Sequence, residues 1–322
     1  MELEPIRAPV ADDLCAVDAL IRQQLHSEVA LINQVAAYII DGGGKRLRPM
    51  VTLLAARACA YGGRDHIAAA AIVEFIHTAT LLHDDVVDES SLRRGRQTAN
   101  ALWGNQASVL VGDFLYSRSF QMMVGIGQMQ IMEILADTTN TIAEGEVMQL
   151  LNCRDPDTTQ ERYLRIIYCK TAKLFEAAAQ LGAVLAGRPR EEELALGRYG
   201  LHLGTAFQLI DDALDYSASS AELGKNIGDD LAEGKPTLPL IHAMQHGTSE
   251  QVRMIREAIE HGGLEQLDIV TQAIESTGAL DYTTRLAVAE AEQAVAHLAS
   301  LPDSSARDAL IGLAHFAVNR RY

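Results

Sequence analysis

A chain of 322 residues, 48% hydrophobic but only 5% aromatic, can bury a large core without staples and lacks the side chains that favour sheets. Its formal net charge of −16 and pI near 5.0 exclude a broad nucleic-acid face, so no nucleic-acid partner is expected. Cys15, Cys59, Cys153 and Cys169 are scattered without CxxC spacing or histidine partners, which excludes a zinc knuckle and reads as reduced thiols. In chain order, the acidic start Met1-Glu2-Leu3-Glu4-Pro5 is unlike a targeting peptide. Apolar residues then recur at helical spacing through 11–40, 48–61, 66–89, 107–124, 128–152, 158–187, 190–216 and 236–246, with shorter segments to 319. Gly42-Gly43-Gly44, Asp155-Pro156-Asp157, Gly187-Arg188-Pro189 and Leu301-Pro302-Asp303 supply the helix-ending chemistry. No stretch sustains period-two alternation, and no uncharged apolar run reaches the roughly 18 residues of a membrane span. The expectation is an all-α protein: one large helical domain over residues 1–322, with no membrane span, in the cytoplasm.

Two aspartate motifs of identical spacing carry the strongest chemical signal: Asp84-Asp85-Val86-Val87-Asp88 and Asp211-Asp212-Ala213-Leu214-Asp215. Each follows a mostly apolar helix, and positions i and i+4 share a helix face. Asp84 therefore projects with Asp88, and Asp211 with Asp215. Like charges so placed repel, more so when buried, and a cation must offset them. Mg²⁺ suits the task, since it takes carboxylate oxygens and keeps positions open for phosphate oxygens. The bland alternative is a pair of solvated acidic helix ends.

Basic clusters are informative in so acidic a chain. Gly42-Gly43-Gly44-Lys45-Arg46-Leu47-Arg48-Pro49 runs a glycine loop into a helix start, a setting for phosphate or simply for a turn. Arg93 and Arg94 follow Asp88 closely enough to grip a phosphate. His77 lies two helical turns before Asp84, as a ligand-binding or an ordinary core histidine. The stretch 217–235, with Gly224, Gly228, Gly234, Lys225 and Lys235, is longer than compact domains usually allow and reads as a mobile flap, or else as a plain surface loop.

These motifs, with Lys170-Thr171-Ala172, Phe207-Gln208-Leu209-Ile210 before the second aspartates, Gly224-Lys225-Asn226 and Gly234-Lys235-Pro236-Thr237, occur in an order that resembles the trans-isoprenyl diphosphate synthases from end to end. Within that family the pattern is similar to the bacterial octaprenyl diphosphate synthases of quinone side-chain synthesis, such as that of ubiquinone. The resemblance implies a helical homodimer with a deep central cavity in each subunit. It implies that Lys45, Arg48, His77 and Arg94 bind isopentenyl diphosphate. It implies that Asp84 and Asp88 hold two Mg²⁺ and Asp211 a third. Arg93, Lys170, Thr171, Gln208, Lys225 and Lys235 would hold the allylic diphosphate, with farnesyl diphosphate as the primer. The catalytic set then comprises Asp84, Asp85, Asp88, Asp211, Asp212, Asp215 and Lys170.

The chemistry suits these residues. Ionising an allylic diphosphate leaves a carbocation that needs a dry pocket and a leaving group whose charge is neutralised. The product tail is expected alongside the helix before Asp84, past Thr80, Ala79, Ile76 and Ile72. A floor at Met122 or Met123 would stop it, unless those are plain core methionines. A terpene cyclase would mix Asn, Ser or Thr with Glu in its second metal motif. A membrane prenyltransferase would need spans. A regulatory subunit would have lost its aspartates.

Overall fold

The computed structural model describes residues 3–93, 95–217, 228–262 and 264–320, with Asp41 described by its backbone only. Helices dominate, as the apolar spacing predicts. In chain order they are α1 (Glu4–Arg7), α2 (Ala11–Gln24), α3 (Ala30–Asp41), α4 (Leu47–Ala58), α5 (Asp65–Val87), α6 (Ala99–Trp103), α7 (Asn105–Ile126) and α8 (Met129–Asn152). After them come α9 (Gln160–Ile167), α10 (Lys173–Leu185), α11 (Arg190–Asp215), α12 (Asp229–Ala232), α13 (Leu238–His246), α14 (Ser249–His261), α15 (Leu267–Ser276), α16 (Ala279–Ala296) and α17 (Ser305–Asn319). Among the described residues the sheet content is one small antiparallel hairpin, β1 (Leu92–Arg93) and β2 (Arg96–Gln97), placed directly after the first aspartate motif.

Two expected helices are interrupted. The run 11–40 breaks between α2 and α3 because Asn33 captures Ser27: the Ser27 N–H donates to Asn33 Oδ1 (3.0 Å), and Asn33 Nδ2 donates to the Ser27 carbonyl (2.7 Å). Such side-chain bonds compete with the helical ladder. The run 158–187 contains one π turn, Tyr168–Ala172, between α9 and α10. The 217–235 stretch also holds more regular structure than a plain loop, since α12 forms within it; residues 218–227 lie outside the described set.

The main core gathers α4, α5, α10 and the buried faces of α7, α11 and α17. A second cluster joins Tyr216 to α12–α16, and a third, built on Tyr163, Leu209, Leu238 and Ala287, bridges α9, α11, α13 and α16. Helix α5 is long and apolar enough to cross a membrane by length and composition, yet 72% of that apolar window is buried inside the fold. Several helices meet backbone to backbone. A Cβ on Gly200 of α11 would lie 2.2 Å from the Phe175 carbonyl oxygen, and one on Gly204 2.7 Å from the Ala172 Cα. On the other side of the π turn, a Cβ on Gly145 of α8 would lie 2.9 Å from the Lys170 nitrogen. The π turn is thus gripped between two glycines, one on α8 and one on α11.

Candidate active site

Helix α5 ends at the first aspartate motif, and the i,i+4 argument holds. Asp84 and Asp88 each meet a lysine: Lys170 Nζ is 3.6 Å from Asp84 Oδ2, and Lys235 Nζ is 2.9 Å from Asp88 Oδ2. Asp85 turns the other way and is 1% exposed. Arg93 of the hairpin grips it through Nε (2.8 Å) and Nη2 (2.7 Å). Burial pushes the Asp85 carboxyl up, and Arg93 opposes that shift. Arg93, expected to face a phosphate, is therefore engaged with Asp85 and fastens β1 to α5.

The π turn presents Lys170 and Thr171. A single widened turn inside a helical run re-aims side chains and often marks a functional position. Lys170 also pairs with Glu146 of α8 at 2.7 Å. Burial works against its charge, but Asp84 and Glu146 outweigh burial and raise its pKa. Thr171 donates to Gln208 Oε1 (2.8 Å), and Gln208 Nε2 donates to Asp212 Oδ1 (2.7 Å). Tyr163 of α9 donates to the other Asp212 oxygen. Lys170, Thr171, Gln208, Asp212 and Lys235 line one cavity of about 150 Å³ whose apolar side is Ile166 and Ile167.

The second motif ends α11. Asp215 accepts from the Asp230 N–H at 3.3 Å. Burial, reinforced by Asp230, pushes both Asp212 and Asp215 up to about 8. Asp230 itself is pushed up to about 6 by burial, although Lys235 opposes the shift. Asp211 has a different partner. Arg320, just beyond α17, reaches it through Nη1 (2.7 Å), donates to the Phe207 carbonyl (2.6 Å) and stacks 3.6 Å from the Phe207 ring.

On the basic side, Arg48 of α4 lies 3.2 Å from His77 Nε2 and stacks on Phe175 at 4.4 Å. Phe175 meets Phe207 at 5.9 Å between ring centroids, so a continuous path of contacts runs from His77 through Arg48 to Arg320 and Asp211. Lys45 lies 5.7 Å from the Phe316 ring of α17. Arg94 and Lys225 fall outside the described residues. Along α5, Ala79, Ile76 and Ile72 are buried and Thr80 is half-buried, its hydroxyl spent on the His77 carbonyl (2.8 Å). Met123 of α7 is buried, and Met122 is partly buried against the same core.

Among the described residues no three His, Cys, Asp or Glu side chains converge into a closed metal cage. The donors are carboxylate oxygens in pairs, which fits a hard cation completing its shell with phosphate oxygens and water better than it fits zinc. The sequence reading missed Glu146 and Tyr163, placed Asp230 only among the charges of the 217–235 stretch, and left the C-terminal Arg320 either to close over the diphosphate or to fray. Glu146 is one of several acidic residues on α8 and nothing in the sequence singles it out, whereas Arg320 reaches Asp211 across 109 positions of chain, a distance no local pattern spans.

The Polyprenyl synthetase family profile matches residues 29–277. The chain belongs to the polyprenyl synthetase family. An octaprenyl diphosphate synthase of Escherichia coli (strain K12) is 59% identical over 321 residues, covering 99% of both chains. A family member of Rhodobacter capsulatus, an all-trans-nonaprenyl-diphosphate synthase (geranyl-diphosphate specific), is 50% identical over 318 residues, covering 98% of both. Among solved structures, a polyprenyl synthase from Caulobacter crescentus CB15 complexed with calcium and isoprenyl diphosphate superposes with a TM-score of 0.95 at 46% identity, over 100% of this chain and 98% of that one. The all-α architecture of the polyprenyl synthetases is therefore this chain's fold.

Proposed function

We propose that the chain is a long-chain trans-polyprenyl diphosphate synthase, adding isopentenyl diphosphate head to tail onto farnesyl diphosphate to give octaprenyl diphosphate for a quinone side chain. The observation that carries this reading is the convergence of the two aspartate motifs, each with its own cations, on either side of the Lys170–Asp212 cavity. The 59% identity to the Escherichia coli octaprenyl enzyme supports the product. In this reading Asp84, Asp88 and Asp211 hold three Mg²⁺, and residues 1–322 act as one domain. Bound Mg²⁺ supplies the charge that neutralises the departing diphosphate.

The chain's own residues do the rest. Lys170 and Lys235 draw the allylic diphosphate toward Asp84 and Asp88, the carboxylates that would hold the metal. Thr171 and Gln208 turn oxygen atoms toward the carbon that loses its diphosphate, and their dipoles stabilise the positive charge there. Ile166 and Ile167 keep water off that cation. Lys45, Arg48, His77 and Arg94 hold the isopentenyl diphosphate so that its double bond faces the cation. The released diphosphate takes the final proton. Arg93 fixes the hairpin, Asp212 orients Gln208, and Asp215 anchors Asp230. Exposed apolar residues on α7 and α8, among them Leu110, Val124, Met129, Val147 and Leu151, suit the homodimer face.

The test is incorporation of labelled isopentenyl diphosphate onto farnesyl diphosphate with Mg²⁺, against an EDTA control, followed by sizing of the dephosphorylated products. One Mg²⁺-dependent product of about forty carbons is expected. Folded protein that incorporates nothing with any allylic primer refutes the reading.

A further inference from the structure

Arg46 stands at the end of the glycine loop, immediately before α4, with φ of 51°. A non-glycine residue in that left-handed region is strained and persists where its surroundings hold it. Three anchors do so. Nη1 pairs with Glu74 of α5, Nε lies 3.4 Å from Asp18 of α2, and Nη2 donates to the Ile40 carbonyl at 3.5 Å. Glu74 is 7% exposed, and its neighbours Ile72, Val73, Phe75 and Ile76 are fully buried. A charge pair sunk this deep gains little net stability, because desolvation offsets the attraction. Its retention at a strained residue asks for another reason.

The register gives one. Glu74 and His77 are three apart on α5 and so share a face, while Arg46 and Arg48 are two apart at the start of α4. The two arginines therefore bind α5 as successive rungs, Arg46 to Glu74 and Arg48 to His77. Lys45 sits beside the first rung, its carbonyl accepting from Arg7 at 2.9 Å. The same helix carries Asp84 ten residues on, about 15 Å along its axis. The loop before Arg46 is glycine and has no stiffness of its own.

We propose that Arg46, through its pair with Glu74, is a positioning residue that registers the isopentenyl diphosphate loop on α5 and so fixes its distance from the first aspartate motif. This rests on the functional reading above. Loosening the rung lets Lys45 and Arg48 wander from the diphosphate, while the allylic side, built on Asp84, Lys170 and Gln208, keeps its geometry.

The experiment uses the full chain and three variants: Glu74→Gln, Arg46→Lys and the apolar pair Arg46→Met/Glu74→Leu. Each is assayed for KM toward isopentenyl and farnesyl diphosphate, for direct calorimetric binding of isopentenyl diphosphate alone, and for thermal stability. The expected result is a KM for isopentenyl diphosphate raised about tenfold or more, matching weaker binding, and a KM for farnesyl diphosphate within about twofold. The apolar pair separates positioning from stability. Removing both charges restores stability, but the KM for isopentenyl diphosphate stays high. A wild-type KM in the stable apolar pair, or equal losses toward both substrates, overturns the proposal. Wild-type protein that neither binds nor incorporates isopentenyl diphosphate overturns the functional reading, and this inference with it.

Discussion

Replacing Asp212 by asparagine should flatten the pH dependence of stability in metal-free protein. Asp212 is 3% exposed, and burial, aided by Asp230, pushes its carboxyl up to about 8. In the unfolded chain an aspartate titrates near about 3.9. Between those values the folded state keeps a proton that the unfolded state has released. Stability is therefore full below the lower value and falls as pH rises toward the upper one, by about 1.4 kcal/mol per unit. From about pH 5.5 to about 7.5 the loss is roughly 3 kcal/mol. An unfolding entropy of about 2.1 cal/mol/K per residue converts this to about 4 °C in Tm for 322 residues. Asparagine keeps the network, because Gln208 can rotate its amide and Thr171 can reverse its hydroxyl to match. Calorimetric scans in EDTA at the two pH values should thus show the wild type losing about 4 °C more than the variant. Mg²⁺ with inorganic diphosphate should remove most of that difference by giving the ionised carboxylates a cation. Equal slopes for the two proteins in EDTA, or a wild type that gains on the variant as pH rises, would refute the reasoning.

Lys170→Met strands Glu146 and Asp84 without their shared cation, and kcat should fall by about 10²–10³, with Lys170→Arg recovering part of it; a kcat near wild type in single-turnover assays would remove Lys170 from the chemistry. Ala79→Tyr, on the buried face of α5, should shorten the product to about fifteen or twenty carbons by blocking the tail roughly 7.5 Å from Asp84, and an unchanged product ladder would sink that placement. Arg320→Ala should cost metal-free protein about 1 kcal/mol by leaving the part-exposed Asp211 without its cation, a deficit that narrows once Mg²⁺ and diphosphate are added. A deficit of the same size with and without metal would mean that Arg320 only fastens the C-terminus.

The features that sequence made legible are those written in helical spacing. The pairing of Asp84 with Asp88 on one face, and the burial of the helix above them, follow from residues within a few turns of each other. Where the aspartates find their counter-charges is another matter. Lys170 points at Asp84 because a π turn rotates it there, and that turn depends on contacts with Gly145 and Gly204 from two other helices. Asp85, Asp212 and Asp215 look equivalent to their neighbours in the motifs, yet they are held by Arg93, by Tyr163 with Gln208, and by the Asp230 N–H, whereas Asp84, Asp88 and Asp211 meet Lys170, Lys235 and Arg320. That division depends on which side of the helix is buried against which partner. Asn33 breaking the first helical run is a local event, but a lone asparagine reads as an ordinary helix residue until its bonds to Ser27 are seen.

The glycine contacts around the π turn also say where this protein is fragile under mutation. The gap between the lysine that meets Asp84 and the helix that carries Asp211 is set by Gly145 and Gly204, residues that carry no chemistry. A methyl group at Gly204 would begin 2.7 Å from the Ala172 Cα and would have to push α11 outward by several tenths of an ångström. Misplacements of about 1 Å at reacting centres cost on the order of 10²-fold in rate. The charged residues set how strongly the two halves of the site attract a diphosphate; two hydrogen atoms, one on each glycine, set how far apart those halves stand.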